Sequence, residues 1–136
     1  MNNLKKIITL LYILFFTLPV FSADTQVLLK TTKTWDNAIY KKLCIKHPEV
    51  TVLNIKIGIG ESLDMHKHDI TNVAYVKQGI LTVITEDGKE ITVSKGQCLP
   101  EIVGKYHYGK NSGQEPVELI VFYVGEKNSP LSVKKR

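Results

Sequence analysis

His66 and His68 stand two residues apart, and a third histidine, His107, follows later in the chain. Residues i and i+2 of a β-strand share a face, so both imidazoles of the pair aim at one point. A third imidazole from a later strand would close three sides of a metal site and leave room for water or substrate. Paired histidines on a strand are by themselves more often surface or hydrogen-bonded core residues. The third histidine, together with Gly60, Gly79, Gly96 and Gly104 framing all three, turns the reading toward a metal. Glu101 is six residues before His107, an even offset that puts both on one face if the strand is regular. Pro100 and Gly104 are the places where a bulge would break that parity. Asp64 shares the parity of His66 and His68; it reads as a turn residue at the strand entrance or as a partner orienting one imidazole. His47, before Pro48, reads as exposed. Tyr106 and Tyr108 should point away from His107, and Tyr75 and Tyr123 read as core or as the rim of a pocket.

Short strands separated by turn signals must position these residues. Thr51 to Ile57 alternates, with Leu53, Ile55 and Ile57 on one face and Asn54 and Lys56 on the other. Strands are expected at Asn72 to Lys77, at Ile80 to Thr85 and Lys89 to Ser94 around an Asp87-Gly88 hairpin turn, at Gln97 to Val103, and at Val117 to Val124. No segment carries a convincing helical period. The pattern argues an all-β, antiparallel sandwich or barrel. Asp24 to Pro48, with Trp35-Asp36-Asn37 as a turn and one large apolar anchor, reads as an arm.

At the N-terminus, Lys5 and Lys6 precede an apolar run from Ile7 to Phe16, and Leu18 to Ala23 reads as a cleavage region. The run is shorter than the roughly 20 residues of a spanning helix. The expectation is a signal peptide over residues 1–22, export to the periplasm or beyond, and no membrane span after processing. The remainder is one domain of about 114 residues: an arm over 23–49, a barrel over 50–125 and a basic tail over 126–136, in which Lys134-Lys135-Arg136 reads as a frayed, solvated end. The chain's net charge of +5 falls to about +3 on processing, with no aromatic-interleaved basic patch, so nucleic acid is not an expected partner. In an oxidising compartment Cys44 and Cys98 either pair or are buried separately.

Two stretches resemble the sequence motifs of the cupin superfamily. The first runs from Gly60 through His66-Lys67-His68 and Asn72 to Gly79; the second runs from Gly96 through Gly104 and His107 to Asn111. Two positions depart from the family pattern: Asn72 stands where glutamate is usual, and Ile102 where proline is usual. The resemblance covers roughly Val50 to Val124 and is greatest to small, single-domain, secreted cupins. It implies a jelly-roll β-barrel and a divalent metal (iron, manganese, nickel or zinc) on His66, His68 and His107. Glu101 is implied as a fourth ligand or acid/base residue, and a homodimer formed through sheet contacts is implied too.

Asn72 offers a neutral, weak amide oxygen or simply a local hydrogen bond. With three neutral imidazoles an ion keeps nearly its full 2+ charge and favours an anionic ligand. The charge thus predicts a small anionic organic ligand, and the resemblance implies a metalloenzyme acting on it, dioxygenase- or isomerase-like. The alternative is a non-catalytic module binding a small ligand or metal.

Overall fold

The computed structural model describes residues 23–136; the expected signal peptide, residues 1–22, lies outside the described residues. Among the described residues there is no helix, and so none long and apolar enough to cross a membrane. Nine strands form among the described residues: β1 (Pro48–Ile57), β2 (His66–Lys67), β3 (Thr71–Gln78), β4 (Ile80–Thr85), β5 (Glu90–Ser94), β6 (Cys98–Pro100), β7 (His107–Asn111), β8 (Val117–Glu126) and β9 (Val133–Lys134). They make two antiparallel sheets, ordered β1-β8-β3-β6 and β5-β4-β7-β2-β9. This is the expected all-β jelly roll.

The core lies between the sheets and follows from strand alternation. Ile57, Ala74, Val76, Leu99, Val117, Leu119, Val121 and Tyr123 come from the four-stranded sheet, and Leu81, Val83 and Val93 from the five-stranded one. Each fully buried aliphatic side chain among them contributes about 1.5–3 kcal/mol. In β1, Leu53, Ile55 and Ile57 face inward as expected, and its solvent-facing neighbours are exposed. The Asp87-Gly88 hairpin forms between β4 and β5, with Gly88 at φ 83°.

Gly79, between β3 and β4, has φ 81°, and a Cβ there would stand 2.8 Å from the carbonyl of Pro116. Only glycine meets both demands. Asn111, the last residue of the second motif, is a clamp. Its side-chain amide donates to the carbonyls of Ile57, Gly58 and Glu115 at 3.2, 3.1 and 2.8 Å, tying the ends of β1 and β7 to the turn before β8.

Three expectations change. The strand expected over Gln97 to Val103 stops at Pro100, whose ring removes a ladder donor, and Glu101 lies in the following loop. The basic end is solvated but not frayed, because Val133–Lys134 pairs with β2. Cys44 and Cys98 are both free; Cys44 is exposed and Cys98 half-buried, so neither the disulfide nor two buried thiols describes them.

Candidate metal centre

The HxH parity places the first two ligands. His66 lies in β2, and His68 continues it through a parallel bridge to Val103. His107 opens β7 and is registered directly opposite His66. The three rings therefore converge: their centroids are 4.8, 4.8 and 5.1 Å apart, and one ligand nitrogen from each lies within 4.8 Å of the others. His68 and His107 are buried and His66 is half-buried.

Each ring is oriented from behind by a main-chain carbonyl. His66 Nδ1 lies 2.7 Å from the oxygen of Asp64, His68 Nδ1 2.7 Å from that of Leu131, and His107 Nδ1 2.9 Å from that of Lys105. A carbonyl only accepts, so each Nδ1 carries the hydrogen and donates it. Each Nε2 is left with a free lone pair. Burial lowers the pKa of His68 to about 4 and that of His107 below the usual imidazole range, so both stay neutral near pH 7.

Glu101 completes the interior. Its Oε2 is 3.6 Å from His107 Nε2, too far for a hydrogen bond, and both atoms are buried without partners. Two acceptors facing each other in a dry site are satisfied only by a proton or a cation between them. Burial pushes Glu101 up to about 8, so its carboxyl holds a proton near neutrality. The three imidazoles, unlike Glu101, form a mutually close ligand cluster. Three convergent neutral nitrogens with free lone pairs fit a divalent cation.

The remaining expected residues fall as follows. Asn72 is buried, and neither atom of its amide finds a partner; its main-chain carbonyl accepts from the Glu101 N–H at 3.2 Å. It is not among the residues lining the cavity between the imidazoles. Asp64 acts on His66 through its carbonyl, while its carboxylate is exposed and pairs with Lys134. Tyr123 belongs to the core and also lines the cavity, 5.7 Å from the His68 ring. Tyr106 and Tyr108 are half-buried beside a buried His107, and Tyr75 alternates out of the core. His47 is exposed, with Nδ1 3.0 Å from the Glu126 carboxylate. The sequence reading missed Leu131 altogether, because a carbonyl acceptor leaves no mark in residue type.

Cavity walls are otherwise aliphatic: Ile55, Leu63, Leu81, Val83, Leu119 and Val121 surround about 30 Å³ of free volume, with no lysine or arginine among them.

The sequence matches the cupin domain family over residues 54–123. No curated protein matches it. Among solved structures, the DMSP lyase DddQ of Ruegeria pomeroyi superposes with a TM-score of 0.55 at 14% identity, covering 63% of this chain and 43% of that one. A second DMSP lyase structure gives 0.55 at 15%, covering 64% and 44%. A protein of Bacillus halodurans gives 0.53 at 20%, covering 62% and 68%. The chain thus spans less than half the length of the lyases, and at these identities the likeness concerns the fold. With motifs, sheets and histidine cluster in agreement, the chain belongs to the cupin domain family.

Proposed function

We propose that this protein is an exported metalloenzyme. In this reading His66, His68 and His107 hold iron, manganese, nickel or zinc, and the protein acts on a small anionic organic substrate in dioxygenase- or isomerase-like chemistry, in the periplasm or outside the cell. The observation that carries the reading is the set of three Nδ1–H donations to main-chain carbonyls, which leaves three Nε2 lone pairs converging in a buried site. A cation bound there supplies a Lewis acid of nearly full 2+ charge, because its ligands are neutral.

The chain's own residues supply the rest. Glu101 holds a proton beside the cluster and moves it to or from a bound ligand. Asn72 contributes through its main chain: its carbonyl accepts from the Glu101 N–H at 3.2 Å and so helps fix the loop that carries the carboxyl. The aliphatic wall excludes water, and its small volume restricts the ligand to a few heavy atoms. The homodimer belongs to the same proposal: it would cover Val50, Val52 and Phe122, exposed on the outer face of the four-stranded sheet.

Metal analysis of protein purified from its native compartment tests the site. We expect close to one divalent ion per chain, lost in a His66→Ala/His68→Ala variant that stays folded. Unchanged metal content in that variant would sink the reading. Stoichiometric metal with no turnover of carboxylate, thiol or diketone panels would favour the non-catalytic binding module.

A further inference from the structure

The segment Leu131 to Lys135 lies beyond the family-matched residues 54–123, yet it touches the histidine cluster at several points. The Leu131 carbonyl accepts from His68 Nδ1 at 2.7 Å, across 63 positions of sequence. The Leu131 side chain packs against the core, which fixes where that carbonyl sits. Immediately after it, β9 pairs with β2, with Lys134 registered to His66 and Val133 to Lys67, and the Lys135 N–H donates to the Met65 carbonyl at 2.9 Å. Outside this backbone contact, Lys134 Nζ reaches Asp64 at 2.6 Å, while Lys135 binds Glu86 and stands 5.8 Å from the Tyr106 ring centre.

Strand β2 has two residues, and among the described residues its only other registered strand is β7, through the single pair His66–His107. Without β9 it becomes an edge held by that pair and by the bridge from His68 to Val103, and the His68 ring loses the acceptor that selects its tautomer.

We infer that Leu131 to Lys135 is a positioning element of the metal site, its backbone fixing the His68 ring and the strand that carries His66. This rests on the metal site proposed above and extends it to a segment outside the family's matched region. The element acts through main-chain groups, so its side-chain charges are dispensable.

The test compares the full chain with one ending at Ser129, and with Lys134→Ala/Lys135→Ala, which cuts the ion pairs and keeps the backbone. Two readouts are taken: Co²⁺ affinity by chelator competition with the visible spectrum of the bound ion, and the ¹⁵N shifts of the His68 ring in metal-free protein. The shortened chain is expected to bind Co²⁺ about 10–100-fold more weakly, with an altered spectrum and the loss of a fixed Nδ1–H tautomer at His68. The double-lysine variant should match the full chain within about twofold. If the shortened chain does not fold, Leu131→Ala, which removes the anchor but no backbone, should change both readouts in the same direction by less. A folded shortened chain with unchanged affinity, spectrum and tautomer overturns the inference. A full chain that binds no Co²⁺, yet shows the tautomer lost on shortening, removes the metal site while leaving the positioning of His68 intact.

Discussion

The two segments that flank the barrel among the described residues, the arm before it and the tail after it, close over it in different ways. At the N-terminal side, Trp35 N–H donates to the Pro100 carbonyl at 2.9 Å, next to Glu101. The Asp36 carboxylate, almost wholly buried, accepts from Thr34 and binds Lys105, whose carbonyl orients His107. Before β1 begins at Pro48, the arm forms only an isolated bridge between Lys33 and Ile39 among the described residues. At the C-terminal side, a main-chain carbonyl contacts a histidine directly and a strand joins the sheet. Beyond its backbone bond to Pro100, the arm thus reaches the metal ligands through a side-chain ion pair to Lys105, two positions before His107, whereas the tail reaches a ligand through the backbone itself. A side-chain link is lost by one substitution. A main-chain link survives every substitution that leaves the path of the chain unchanged.

The largest expected effect separates the histidine held by the tail from its surroundings. Burial lowers His68 to about 4, against about 6.5 in the unfolded chain, where the proton binds first. Stability of metal-free protein is therefore fully present above about pH 6.5 and lost as pH falls toward 4, by an amount on the order of 3 kcal/mol. Urea midpoints across that range should show the slope, and His68→Gln should flatten it; an equal slope in that variant would remove burial of this ring as the cause. Glu101 acts in the opposite sense. Its carboxyl is raised to about 8 by burial, so stability present at low pH declines as pH rises from the ordinary carboxylate range toward 8, and Glu101→Gln should abolish that limb.

Cutting the arm's link comes next. Asp36→Ala removes the acceptor of Thr34 and Lys105, and we expect a loss of about 1–2 kcal/mol in thermal or urea unfolding, because these bonds involve a charged group. Metal affinity should fall by less than in the chain ending at Ser129, since Lys105 is half-exposed and its backbone stays in β7's approach. An affinity loss equal to that of the shortened chain would erase the distinction between the two ends. The smallest effect belongs to Lys134→Ala. Lys134 and Asp64 are both largely exposed, and stability should change by no more than about 0.5 kcal/mol.

Much of the barrel was legible because its signals are local. Alternation in β1, the Asp87-Gly88 turn and the glycine spacing each depend on a few consecutive residues. Boundaries were less legible. Glu101 reached the cluster, but not by the parity that suggested it, because β6 ends before it and a loop carries it inward. Asn72 was expected as a weak ligand or a local hydrogen-bonding group; its amide is instead buried without a partner and outside the cavity lining, which depended on how β3 packs beside β8.

Period-2 spacing by itself determined the all-β class and the shared face of His66 and His68, since strand geometry leaves i and i+2 no other arrangement, and the resemblance of two motifs implied the cupin barrel that brings His107 to them. Tertiary structure alone decided which atoms stand behind those rings. The acceptors are backbone oxygens, identical in every residue, and the one on His68 arrives from 63 positions away once the last strand closes the sheet. No local pattern encodes that meeting, because chain closure produces it.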